Sequence, residues 1–312
     1  MEKLRDPGKQ GIFYLISSKF SNYDLYLMII PFMVFIIIFK YIPMGGVIMA
    51  FQNYNLVQGL GKSPFVGLKH FSDMLSDRGF QSALKNTLVI NFWKYLTYTP
   101  SPLILAIMIY EFPFRRLKRV AQTISYFPYF LSWIIIYGIL MNLLNIQDGV
   151  INQIIRALGG DPVAFMVSKK HFIPVIVISD IWKYVGFDSI IYLSALSAID
   201  PQLFEAARVD GAGKMTQIFR ITIPSISGTF FIMFILSLGR ILDAGHEQII
   251  AMYSRPVYEV ADVLTTYVYR TGIVNMRYSY SSAMGLFSSL VGLVMVCASN
   301  YISRKYSASS IW

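Results

Sequence analysis

The stretch Ile221-Thr-Ile-Pro-Ser-Ile-Ser-Gly-Thr-Phe-Phe-Ile-Met-Phe-Ile-Leu-Ser-Leu-Gly239 contains no Asp, Glu, Lys or Arg. A bilayer's hydrocarbon core is crossed by roughly 20 predominantly apolar helical residues, a length this stretch nearly reaches. Two longer stretches, Val120 to Gln147 and Tyr278 to Ser303, are equally free of charge. All three therefore read as membrane spans. Three interrupted runs complete the pattern. The first covers about Leu25 to Ile48 and carries Lys40. The second covers about Leu84 to Tyr110 and holds Lys94, Pro100 and Pro102. The fourth covers about Phe172 to Ala195 and holds Asp180, Lys183 and Asp188. Six spans in one all-α integral membrane domain result, with the proline pair predicting a kinked second span, since neighbouring helices can re-satisfy freed carbonyls.

Composition agrees. The 312 residues are 55% hydrophobic and only 14% charged, with a mean hydropathy of +0.53. Soluble domains carry about a quarter charged residues, so this chain lacks the polar surface to stay in water. Its net charge of +10 is expected to face anionic lipid, not nucleic acid. Segments 1–24, 111–119, 199–220 and 304–312 hold 13 Lys/Arg in about 65 residues, and the loops 40–85, 146–171 and 245–282 hold 11 in about 110. This roughly twofold difference in density puts both termini on the cytoplasmic side. The chain divides into an N-terminal segment 1–24, a six-span domain 25–305 and a tail 306–312. The polar start, with no cleavage site after the first apolar run, predicts a retained first span. Gly11 to Tyr23 mixes apolar residues with Lys19 and serines, and reads equally as an interfacial helix or as a plain start to span one.

The lone Cys297 cannot form an intramolecular disulfide, and His70, His171 and His246 are far apart in sequence. His246-Glu247 begins like a zinc-protease motif, but Ile250 stands where the second histidine belongs. Gly61-Lys62-Ser63 resembles the end of a phosphate-binding loop but lacks the earlier glycine, with Leu56 in its place. With no nucleophile–base pairing and no metal cluster, the chain is expected to be neither an enzyme nor a cofactor carrier.

Between spans four and five lies a loop, 199–224, with its own organisation. Asp200 can cap a helix whose first position is Pro201. Leu203, Phe204 and Ala207 share a face, and Gly211 can end the helix in the left-handed region. Met215, Ile218, Phe219 and Thr222 follow at i, i+3, i+4 and i+7, and Pro224 is expected to break this second helix as span five begins. A helix–turn–helix hairpin outside the membrane results, rimmed by Glu205, Arg208, Asp210, Lys214 and Arg220.

Glu205-Ala206-Ala207, three residues, Gly211, nine residues, then Ile221-x-Ile223-Pro224 resembles the EAA loop of permeases from binding-protein-dependent ABC importers. The departure is Ile223, where leucine is usual. Trp182-Lys183-Tyr184-Val185-Gly186-Phe187, Ile190 to Leu193, Ala50-Phe51-Gln52-Asn53-Tyr54 and Phe65-Val66-Gly67-Leu68 are similar to the MalF-like carbohydrate permeases, most of all the branch importing complex oligosaccharides. The resemblance implies a six-helix type I importer fold in the inner membrane of a prokaryote. It also implies a second permease chain as partner, typically a different one, two ATPase subunits holding ATP and Mg, and an extracytoplasmic sugar-binding protein. Carried over, Glu205 anchors the hairpin in an ATPase groove. Ala206 and Ala207 are the close-packing face, Gly211 the turn and Pro224 the link into span five, with Asp210, Ala212 and Phe219 also in the set that couples to the ATPase subunit.

Ionisable and polar residues inside spans are functional candidates by default. Asn91, Lys94, Asn142, Lys183, Asp188 and Arg240, with the aromatic faces of Trp133, Tyr137, Trp182 and Tyr184, form the candidate substrate pathway. Asp180 with Lys183, and Arg240 with Asp243, are expected to neutralise each other. The small residues Ser281, Gly285, Ser288, Ser289 and Gly292 of span six predict a tight helix contact, within the subunit or with a partner. The alternative is a secondary transporter driven by an ion gradient and using Asp188. It would be expected to show an inverted repeat, and none is evident.

Overall fold

The computed structural model describes residues 23–306; the expected interfacial helix ahead of Tyr23 and the tail beyond residue 306 fall outside them. The described residues are helical apart from loops and one isolated antiparallel bridge between Gln52 and Phe65. The first span runs through Tyr23–Ile36, a π turn Ile37–Tyr41 and a 3-10 stretch Gly45–Phe51. Its apolar side chains are exposed almost throughout, as suits a helix surrounded by lipid tails. The second span is Arg78–Tyr98 followed by Ser101–Glu111. The interruption falls at Thr99-Pro100, where Pro100 and Pro102 lack the N–H groups that would continue the ladder.

The third span departs from expectation. Val120 to Gln147 is not one rod: Arg115–Phe130 and Trp133–Leu144 are bent by 107° at Leu131-Ser132. Pro128 sits in a 3-10 turn, Phe127–Phe130, that closes the first half, and Ser132 Oγ accepts the Ile135 N–H to start the second. Hydropathy sees only the absence of charge and is blind to this break.

Span four, Lys169–Ser197, is the centrepiece and packs on spans two, three and five. Gly186 permits its approach to span three: a Cβ there would fall 1.9 Å from the Ser125 carbonyl oxygen. Span five is continuous from Lys214 to Leu238, so Pro224 does not break it. A π turn, Ile218–Thr222, ends two residues before the proline. That wider turn accommodates a residue that cannot donate to the preceding turn and would clash with its carbonyl. Span six, Tyr278–Tyr306, meets span five where a Cβ on Gly292 would fall 2.4 Å from the Gly239 oxygen. The expected small-residue contact is therefore within the subunit at this point, and Ser281 makes another against Gly272. A Cβ on Gly285 would meet nothing within 4 Å, and the residue lines a cavity.

Three apolar clusters lie along the bundle. One, around Ile136, Phe172, Ile176 and Ile249, ties spans three and four to the short helix His246–Met252. A second, around Phe80, Leu264 and Met284, joins spans two and six. The third, around Ala106, Leu196 and Ile226, lies toward the 199–224 hairpin.

Candidate functional site

A cavity of about 200 Å³ opens between spans two, four and five. Asn91, Lys94, Tyr95 and Tyr98 line it from span two, at the three- and four-residue spacing that puts side chains on one helix face. Asp180, Asp188 and Tyr192 come from span four, and Ser237, Arg240 and Asp243 from the end of span five.

The buried Lys94 ammonium donates to Asp180 Oδ1 at 3.0 Å, to the Ala244 carbonyl at 3.0 Å and to Gln248 Oε1 at 2.8 Å. Gln248 in turn donates to the Ile176 carbonyl at 2.8 Å and to Ser179 Oγ at 3.0 Å. An ammonium with three acceptors is satisfied, and this network fixes span two to span four and to the segment after span five. The expected Asp180–Lys183 pairing is therefore corrected: Asp180 belongs to Lys94. Arg240 and Asp243 form no ion pair either; Asp243 Oδ1 accepts the Gly245 N–H at 3.0 Å. Asp188, without a partner on its own helix turn, accepts the Tyr98 hydroxyl proton across the cavity. Asn91 donates to the Ile241 carbonyl at 2.7 Å and Tyr95 to the Ser237 carbonyl at 2.7 Å.

Four expected pathway residues, Asn91, Lys94, Asp188 and Arg240, thus line one cavity. The others do not. Lys183 points toward the break in span three, donating to the carbonyls of Tyr129 (3.0 Å) and Leu131. Those carbonyls end a helical turn and have no partner further along. The rings of Tyr184, Trp133 and Tyr129 surround its ammonium at 5.3, 5.4 and 6.0 Å, within cation–π range. Trp133, Tyr184 and Lys183 therefore hold the break, and Tyr137 packs in the same cluster. Asn142 is exposed on the bundle surface. Trp182 lies in an apolar groove on the other side of span four. The sequence reading missed Tyr95, Tyr98, Tyr192, Ser237 and Gln248. The spacing 91, 94, 95, 98 could have found the tyrosines; nothing local marks Gln248, which arrives from a loop.

The first helix and the turn of the hairpin take their expected form, whereas its second helix runs on unbroken into span five. Asp200 accepts the Gln202 N–H at 2.9 Å, Pro201–Val209 is helical, and Gly211 has φ +77°. The Ala212 N–H donates to the Ala207 carbonyl at 2.8 Å and Gln217 to the Ala212 carbonyl at 2.9 Å, locking the turn that contains Asp210. Lys214 pairs with Glu111 at the end of span two, and Phe204 and Ala207 are half-buried. Glu205, Ala206, Leu203, Met215, Phe219 and Val209 are exposed, Val209 to 88%. At the opposite end, Asp77 accepts bonds from Tyr267 (2.8 Å), Tyr280 (2.7 Å) and the Gly79 N–H (2.7 Å). Burial raises its pKa, but bonds from Tyr280, Tyr267 and the backbone outweigh it and hold the carboxyl below its ordinary 3.8.

Residues 99–308 match the family model described as "Binding-protein-dependent transport system inner membrane component". The chain is 36% identical over 308 residues, 99% of its length and 95% of the relative's, to the polygalacturonan/rhamnogalacturonan transport system permease protein YteP of Bacillus subtilis (strain 168). It is 38% identical over 303 residues, 97% and 95% of the two lengths, to protein LplB of the same organism. In structure it is similar to a chain of a bacterial alginate ABC transporter solved in complex with alginate pentasaccharide-bound periplasmic protein. The TM-score is 0.86 and the identity 37%, covering 95% of this chain and 99% of that one.

Proposed function

This chain belongs to the family of binding-protein-dependent transport system inner membrane components, and we propose that it is the permease of an ABC importer moving an oligosaccharide into the cytoplasm. The observation that carries the mechanism is the hairpin: a capped turn on which Leu203, Val209, Met215 and Phe219, as well as Glu205, are exposed. Exposed apolar side chains and a carboxylate carried on one hairpin outside the bundle suit the groove of a partner protein. In this reading the partner is an ATPase subunit, present in two copies that bind ATP and Mg. A second permease completes the pathway, both termini are cytoplasmic, and an extracytoplasmic binding protein delivers the sugar.

The cavity between spans two, four and five is the substrate's route. It offers both signs of charge and several hydroxyls, the mixture a polyhydroxylated ligand needs. Arg240 and Asp243 at its rim pair with no other side chain among the described residues and are available to such a ligand. The ion-gradient alternative, which would use Asp188, gives no reason for the hairpin.

Glu205→Ala tests the coupling. Sugar uptake and binding-protein-stimulated ATP hydrolysis should both be lost while the chain still reaches the membrane. Wild-type uptake at equal expression would refute it. Recovery of this chain alone from mild detergent, without a second permease or ATPase subunits, would count against the assembly.

A further inference from the structure

On the far side of span four from the polar cavity lies a groove of about 450 Å³, lined almost wholly by carbon. Ile139 and Leu143 form one wall, and Val175, Ile178 and Trp182 the other. A groove with so few polar groups is a poor home for water. At 100° per residue, Ile178 and Trp182 stand roughly 160° from Asp180 around the helix. The groove therefore opens away from the cavity, and Ile178 is 66% exposed toward that side.

Its length and its end are informative. From His171 to Trp182 the helix rises about 16 Å, close to half of the roughly 30 Å hydrocarbon thickness, the depth of one leaflet. At the end away from the hairpin lies Lys170. Lys169 is taken by Glu259, Arg156 donates to the carbonyls of Ile146 and Gln147, and the His171 ring meets Ser168 Oγ. Lys170 is exposed and has no ion-pair or hydrogen-bond partner among the described residues. We propose that this groove binds one acyl chain of an anionic phospholipid, with the headgroup phosphate on the Lys170 ammonium. The site needs only the membrane-spanning fold, so its fate is independent of the importer reading.

Two experiments on the purified full transporter decide it. In native mass spectrometry, wild type should retain phosphatidylglycerol about fivefold better than phosphatidylcholine, the preference one lysine confers on an anionic headgroup. Lys170→Ala should equalise the two lipids, and Ile178→Trp, which fills the groove, should remove the retained lipid. In membranes, a photo-crosslinking amino acid at position 178 should yield a phospholipid adduct. Equal retention of both lipids by wild type, an unchanged Ile178→Trp variant, or a crosslink to another polypeptide would overturn the proposal. Should Ile178→Trp not assemble, Lys170→Ala and the crosslink still separate these outcomes.

Discussion

Replacing Gly186 by alanine adds one methyl group at a place where two backbones touch. The new Cβ would sit 1.9 Å from the Ser125 carbonyl oxygen and 2.3 Å from its carbon. Real Cβ contacts do not fall below 3.0 Å, so the helices must separate by at least 3.0 − 1.9 = 1.1 Å. Neither partner can yield by changing rotamer, because both are main chain. Lys183 lies nearly one turn earlier on the same helix, bonded to the Tyr129 carbonyl at 3.0 Å. Carried along unchanged, that displacement takes the bond to about 4.1 Å, beyond hydrogen-bond range. Overpacking costs about 1–3 kcal/mol and a lost bond to a charged group about 1.5–3 kcal/mol, so about 2.5–6 kcal/mol is expected in all. Gly138→Ala is the control. It is also a mid-helix glycine, but nothing lies within 4 Å of its Cβ position, and alanine should stabilise its helix by up to about 1 kcal/mol. Thermal unfolding of the detergent-purified transporter should therefore shift in opposite directions for the two variants. Equal stability of Gly186→Ala and Gly138→Ala would refute the contact on which the span three–span four interface rests.

Lys94→Met should destabilise the fold by about 3–5 kcal/mol, because it strands Asp180, only 13% exposed, without its cation. Lys94→Met with Asp180→Asn should recover most of that loss in the same unfolding assay, and a double variant no better than the single would contradict the pairing. Gly211→Ala should weaken the hairpin turn by about 1 kcal/mol through its φ of +77° alone, since no neighbour lies within 4 Å; Gly211→Asn should be milder. Asp77 has a folded pKa below its ordinary 3.8, so its stabilisation is complete above about pH 3.8 and lost as pH falls through the lower, folded value. Melting temperatures of wild type and Asp77→Asn should differ at pH 6 and draw together as the pH falls below 3.8; a constant gap would exclude the ionised carboxylate as the cause.

The hairpin was legible because its signals are local. An Asp-Pro start, a left-handed glycine and an apolar repeat each act within one turn, so the sequence around 200–222 specifies them without help from the rest of the fold. The cavity was half legible. Charges inside apolar runs pointed to Lys94, Asp188 and Arg240, but their partners lie on other helices. Asp180 and Lys183 are three apart and looked like a pair. The break at Leu131-Ser132 instead offers Lys183 a set of unpaired carbonyls, leaving Asp180 for a lysine on span two. That break was invisible for the same reason: composition registers the lack of charge between Val120 and Gln147, whereas the chain turns where Pro128 ends one helix and Ser132 caps another.

The continuity of span five has a mechanical consequence. Its 25 residues from Lys214 to Leu238 make a rod of about 37 Å, with the hairpin at one end and Ser237 and Arg240 in the cavity wall at the other. Had Pro224 broken the helix, a push on the hairpin would be lost in a flexible joint. The π turn at Ile218–Thr222 instead keeps the main chain helical through the proline. Close to its far end the rod is held against span six where Gly239 meets Gly292. A rod pressed so tightly at one point transmits displacement chiefly as rotation about that point, and Ser237 and Arg240 sit within two residues of it. An ATPase moving the hairpin would therefore tilt the helix body past span four more than it would shift Arg240. The cavity would then widen between Met233 and Tyr192, toward the hairpin, while its rim at Arg240 and Asp243 stays nearly fixed.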